Sequence, residues 1–401
     1  MQPVRGRAES PSPDVIVVGG GIVGTAAAAE LGRRGARVTL LDRIGLAAAA
    51  SGANSGAIQH PVDPVLAALH AETLVGYREL VAADVGFHMA DEPAGLLYVG
   101  HEPTVVAAMA AHVAAEAPEL EPVVLSGPEL TRLEPALAPG LSACGVRTGY
   151  PVPPAAATYG YATLAERAGV TIRSGAEASL EVSGDRVVGV RVGGRLLAAG
   201  DVLVAAGPWT CDLIDPMGSW RPIRPVWGIV AEVALPTGPR HVLEQAEITA
   251  ALDPEASPPP GAAPRDDLLF SLVPGAIAPS VGSTFLETEP RPADWLEPIL
   301  LRAATYVPGI ADAPITGMRA CPRPQSRDGR PLIGRVPGIR GLWMCAGHGP
   351  WGISTGPASA RLVARLILGD DVAMPRALRA DRFGHPDPVG ARRGNHGDLR
   401  L

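Results

Sequence analysis

Two short stretches hold residues whose types and spacing could do chemistry. In VIVVGGGIVG, residues 15–24, Gly19, Gly21 and Gly24 form a G-x-G-x-x-G turn, and Asp42 follows Gly19 by 23 residues. A first glycine permits a tight turn, a second lets a pyrophosphate approach the backbone, and a third packs a helix whose N-terminal amides face the phosphates; the acid accepts ribose hydroxyls. The other stretch, RACPRPQSRDGRPLIG at 319–334, sets Arg319, Cys321 and Arg323 two residues apart, with Pro322 and Pro324 among them. Prolines at that spacing exclude a helix and leave an extended segment, to which spacing alone assigns no reaction.

The elements that must position the first stretch are legible around it. Asp14 to Val18 reads as a buried parallel strand. TAAAAELGRRG has apolar positions at helical spacing and ends at Gly35, and ARVTLLD reads as a second strand. Strand, glycine turn, helix, strand and terminal acid make a βαβ dinucleotide unit, a far more specific signal than the glycines alone; the competing reading is a tight turn with no ligand.

The next segments bear on which dinucleotide. GLAAAASGANSG, residues 45–56, is small and glycine-punctuated, so Ser51, Ser55 and Gly56 could line more cofactor, or merely form a loop before a helix at Val65–Val81. Residues 341–371 read as a strand, a glycine-rich loop and a helix. They aim a second helix N-terminus and the amides of 348–354 at a ligand, as a flavin gaining negative charge on reduction would require; an ordinary strand-to-helix turn is the alternative. GVTIRSGAEA, a hairpin ribbon and the buried strand DVLVAAGPWT lie between, with a glycine turn at Gly207.

Length and composition bound the rest. A chain of 401 residues, 47% hydrophobic and 19% charged, fits two globular lobes. A net charge of −7 without a basic stripe argues against nucleic acid. Every one of the 34 basic residues is arginine, which excludes lysine chemistry altogether. Cysteines at 144, 211, 321 and 345 match neither a zinc site nor a disulfide framework, so no metal and a reducing cytoplasm are expected. No apolar run is long enough for a transmembrane segment, and no export signal precedes residue 14.

Taken in order, VIVVGGGIVG with LLD, ASGANSG, VLVAAGPWT, RPQSRDGRPLIG and AGHGPWGISTGPA resemble the FAD-dependent D-amino-acid oxidase superfamily, in its glycine oxidase and sarcosine oxidase branch, over nearly the whole chain. The resemblance implies an α/β fold: a discontinuous Rossmann-like FAD-binding domain of p-hydroxybenzoate-hydroxylase type, with a smaller α+β substrate domain on an antiparallel sheet. Residues 14–85, 145–215 and 315–384 are expected in the first, 86–144 and 216–314 in the second, with flexible termini at 1–13 and 385–401. The implied reaction is oxidation of the C–N bond of an amino acid or secondary amine to an imine by hydride transfer to flavin N5, with oxygen or another electron acceptor. Oligomeric state stays open.

Residue by residue, the resemblance implies FAD contacts at Gly19, Gly20, Gly21, Gly24, Asp42, Arg43, Ala50, Ser51, Ser55, Gly56, Ala57, Ala178, Ala206 and Gly207, and along the late loop at His348, Gly349, Pro350, Trp351, Gly352, Ile353 and Ser354. Arg323 falls at the position of the arginine that grips a substrate carboxylate, a role its planar fork suits. Cys321, seven residues before Asp328, falls where sarcosine oxidases attach flavin covalently, so FAD tethered through Cys321 is an expectation, against a small buried thiol. His348 is expected to touch the site, where it could relay a proton.

Departures matter too. Pro350 and bulky Trp351 follow where some glycine oxidases carry a second arginine, a serine stands in 268–290 where an aromatic lid is usual, and no lysine serves oxygen. A larger amine, a 2-hydroxy acid with a non-oxygen acceptor, a nicotinamide-dependent dehydrogenase and a flavin-carrying electron-relay subunit therefore stay as alternatives. Trp209, Trp227 and Trp351 could wall an apolar pocket, and the proline-rich 254–267 could be a lid or a linker.

Overall fold

The structure, a computed structural model, describes residues 12–248 and 267–386; the proline-rich 254–267, but for Asp267, lies outside the described residues. Val15–Val18, Val38–Leu41, Thr171–Arg173, Asp201–Val204 and Leu342–Ala346 run parallel in a six-stranded sheet, with Leu332–Arg335 antiparallel at one edge. Val15 pairs with Val38 and Val18 with Leu41, so the strand ends at Gly19 and Asp42 arrive side by side.

Alternation along these strands builds two cores. Val15, Val17, Leu40, Leu203 and Cys345 pack under the helices Ile22–Arg33, Ala156–Arg167 and Gly352–Ile367. Ile16, Val18, Leu41, Val202 and Met344 face the other way, onto the ribbon Ala178–Ser183, Arg186–Val192 and Arg195–Ala198. A sheet covered on both faces explains the unbroken VIVV and VLV runs, which show no polar alternation.

The second unit is an eight-stranded sheet in the order Ile315–Ser326, Ile223–Val233, Ser280–Thr284, Leu268–Val273, Val242–Gln245, Leu96–Gly100, Ser142–Val146 and Val123–Ser126. Helix Ala293–Ala304 covers one face; helix Pro103–Glu116 covers part of the other, and the rest meets the cofactor unit. Ile315–Ser326 pairs along Ile223–Val233 in this sheet, from Ser326 opposite Ile223 to Ile315 opposite Val233, before the chain goes on to Leu332–Arg335 in the six-stranded sheet. Pro322 and Pro324 fit there because the strand is the sheet's edge, where a missing N–H breaks no outer ladder. Among the described residues, no helix is long and apolar enough to cross a membrane.

Candidate active site

Parallel strands deliver their carboxyl ends to one rim, the usual ligand crevice of such sheets. One cavity there is lined by Gly19–Gly21, Asp42–Ile44, Ala48–Ser51, Ala176–Ala178, Ala205–Trp209 and Ala346–Ser354 except Gly347, and, from the opposing sheet, by Gly228, Glu244, Ser271, Ser283, Phe285, Cys321 and Arg323. Gly19, at φ +120, needs glycine twice over, since a Cβ would lie 2.3 Å from the Ala205 carbonyl oxygen. Gly24 lies outside the cavity lining; its Cβ would lie 1.9 Å from the Gly19 carbonyl oxygen, so it serves the turn and not the ligand.

Asp42 ties the turn to the next loop. It accepts from the Gly20 N–H at 2.7 Å with one oxygen and from Ile44 and Gly45, both at 2.8 Å, with the other. Ser51 Oγ accepts from the Ile22 N–H at 2.9 Å, at the start of the first helix. Arg43 stacks on Trp209 with its guanidinium carbon 4.2 Å from the ring centre. Ala50, Ser55, Ala57, Ala178, Ala206 and Gly207 all line the cavity, whereas Gly56 does not. Trp209 and Trp351 are also cavity walls; Trp227 instead packs against the second unit's core.

The late loop is pinned from behind: Tyr77 donates to the Ile353 carbonyl at 2.6 Å, His70 Nδ1 donates to that of Ser354 at 3.3 Å, and Ser354 Oγ accepts from the Gln59 N–H at 3.0 Å. All seven residues from His348 to Ser354 line the cavity. His348 Nε2 is buried without a partner, and burial pushes the ring's pKa down to about 3. A ring held neutral this way is a weak proton acceptor near neutrality, and hydrogen bonding is the chemistry it offers.

Arg319, Cys321 and Arg323 alternate along one strand yet have different surroundings. Arg319 is committed structurally, to the Asn54 carbonyl at 3.1 Å, to Ser280 at 2.7 Å and to Glu232. Cys321 is a free thiol in the cavity wall, 3.7 Å from the Ala53 carbonyl oxygen; burial raises its pKa, with Arg323 and Arg319 pulling it back. Arg323 donates to the Thr284 carbonyl at 2.8 Å and to Ser283, and stacks on Phe285 at 4.7 Å. No carboxylate partners it among the described residues, and burial lowers its pKa.

Glu244, Gln59 and Gly228 are cavity residues that no motif signalled. Glu244 accepts from Gln59 Nε2 at 2.9 Å, while Glu244 Oε2 and Gln59 Oε1 are buried without partners. Orphaned buried polar atoms are costly unless a ligand meets them. Together with the glycine turn, the helix start and Asp42, they make this a cradle that FAD and a substrate beside it fit.

Residues 14–366 match a family model described as FAD dependent oxidoreductase. A glycine oxidase of Pseudomonas aeruginosa is 36% identical over 191 residues, 46% of this chain and 46% of that one, so the chain spans about half the length of that curated relative. An uncharacterized oxidoreductase of Bacillus subtilis is 26% identical over 400 residues, covering 94% of this chain and 98% of that protein. The crystal structure of iminodiacetate oxidase from Chelativorans sp. BNC1 superposes with a TM-score of 0.77 at 23% identity, covering 93% of this chain and 99% of that one, a likeness of fold.

Proposed function

From the premise that this chain belongs to the FAD dependent oxidoreductase family, with FAD as its cofactor, we propose that it oxidises the C–N bond of an amino acid or another amine bearing a carboxylate. The observation that carries this reading is Arg323: a partly buried guanidinium lining the cavity, with no carboxylate partner among the described residues. Such a charge is expensive to bury unless a ligand completes it, and a carboxylate accepts two parallel N–H bonds from it. Thr284, Ser283 and Phe285 fix the plane of the fork, so the substrate arrives oriented.

Bound FAD supplies a two-electron acceptor for the hydride of the carbon bearing nitrogen. Gly19–Gly21, Asp42, Arg43, Ala50, Ser51, Ser55, Ala57, Ala178, Ala206, Gly207 and His348 to Ser354 are the residues that would hold it. The amides opening the Gly352–Ile367 helix favour negative charge beside them. Trp351, Ile353 and Phe285 are apolar walls of the same cavity and would exclude water from it. Cys321 lies in the same wall and is a candidate for a covalent link to FAD.

The test is anaerobic mixing of the yellow holoprotein with D- and L-amino acids, secondary amines, amines lacking a carboxylate, and 2-hydroxy acids, followed by reoxidation in air. Bleaching by carboxylate-bearing amines, lost in Arg323→Ala, supports the reading. Bleaching by hydroxy acids alone, or unchanged rates in Arg323→Ala, overturns it, and slow reoxidation in air assigns a non-oxygen acceptor.

A further inference from the structure

Glu244 is an unusual residue for its place. All four residues of Val242–Gln245 are buried, and their side chains alternate across the sheet. Leu243 enters the core beneath Ala293–Ala304, and Gln245 accepts from the Phe270 N–H at 3.1 Å and from Arg302 at 3.3 Å. Glu244 projects the other way, into the cavity.

A carboxylate there needs a reason, since burying one without a cation is unfavourable. Its neighbours are neutral: Tyr98 and Ser271 lie opposite it on the two flanking strands, and Gln59 donates to it from the cofactor unit. The cavity's charged side chain from this sheet, Arg323, is on a different part of it, held against Ser283 and Thr284. Among the described residues, Glu244 Oε2 and Gln59 Oε1 are acceptors left without donors. The cavity thus presents donors at Arg323 and unsatisfied acceptors at Glu244 and Gln59, the complement of a zwitterion.

We propose that Glu244 and Gln59 form the subsite for the substrate's amino group, with Glu244 Oε2 taking a proton from the bound ammonium so that the neutral amine is present for oxidation. This rests on the reading of Arg323 as the carboxylate clamp. In the proton transfer one N–H bond breaks, its electron pair stays on nitrogen as the lone pair, and an O–H bond forms on Glu244; nothing is oxidised in that step. Burial, opposed by the Gln59 hydrogen bond, raises the Glu244 pKa to about 7, so the group exchanges protons near neutrality. His348, at about 3, is much the weaker acceptor.

Gln59 positions the carboxylate and is itself anchored through its backbone N–H on Ser354, which explains how two residues 185 positions apart meet.

The experiment compares two probes of equal shape on the holoprotein, followed by perturbation of the flavin absorbance: N-methylglycine, and methoxyacetate, in which an ether oxygen replaces the N–H. Wild type is expected to prefer N-methylglycine by roughly ten- to hundredfold, Glu244→Gln to lose that preference, and Arg323→Lys to weaken both probes alike. Infrared difference spectra of the probe-free holoprotein, recorded across neutral pH, should contain a carboxylic acid band that Glu244→Gln removes. Preference retained in Glu244→Gln, binding of neither probe, or a titrating acid band that persists in the variant would overturn the subsite. Failure of the parent reading looks different: no amine then bleaches the flavin, whatever residue 244 is.

Discussion

The guanidinium of Arg323 lies directly over Gly228, on the neighbouring strand: a Cβ at Gly228 would come within 2.5 Å of Nη2 and 2.6 Å of the guanidinium carbon. The clamp is therefore seated on an absent side chain, and the strand pairing that opposes Cys321 to Gly228 sets the seat.

Replacing Gly228 by alanine should push the guanidinium off Ser283 and the Thr284 carbonyl while leaving the cofactor loops untouched. KM for a carboxylate-bearing amine is expected to rise roughly tenfold or more at unchanged flavin content. Steady-state kinetics beside the visible flavin spectrum measures this; an unchanged KM would show that the fork has no fixed seat.

Gly24→Ala places a methyl 1.9 Å from the Gly19 carbonyl oxygen, in backbone that has no room to move without opening the turn. The expected result is a lower Tm by several degrees and colourless or weakly yellow protein, since turn and phosphate cradle are one structure. Thermal melts and flavin absorbance per protein would check it, and a fully loaded variant would contradict it.

Cys321 offers a cleaner readout. If it tethers FAD, acid-precipitated wild type stays yellow and Cys321→Ser releases its flavin into the supernatant. Flavin released from both leaves Cys321 an ordinary buried thiol, in keeping with the raised pKa that burial imposes.

Stability should report Glu244 without any substrate. An ordinary glutamate sits at 4.5 and Glu244 is raised to about 7, so between these values the folded chain binds more protons than the unfolded one. Stability from this group is then fully present below 4.5 and falls as pH rises to about 7. Glu244→Gln should flatten that slope, the difference reaching on the order of 3 kcal/mol above neutrality. Urea melts across this pH range measure it; parallel slopes in the two proteins would remove Glu244 as the titrating group.

What the sequence determined by itself is what local pattern can encode. Gly19, Gly21, Gly24 and Asp42 were legible because a turn, a helix start and a strand end lie within one βαβ unit, and the late loop from His348 to Ser354 was legible as a second strand-to-helix turn. The prolines around Cys321 and Arg323 spelled out an extended segment. Only the tertiary structure decided which sheet that segment joins, because its partner Ile223–Val233 lies far away in the chain and an edge position is a property of the whole sheet. Tertiary structure also separated two similar positions, committing Arg319 to Asn54, Ser280 and Glu232 while leaving Arg323 with no carboxylate partner among the described residues. Glu244 in VLEQ belongs to no sequence motif. Its burial, its bond to Gln59 and its open oxygen arise where the faces of two units meet, and no spacing within either unit encodes that meeting.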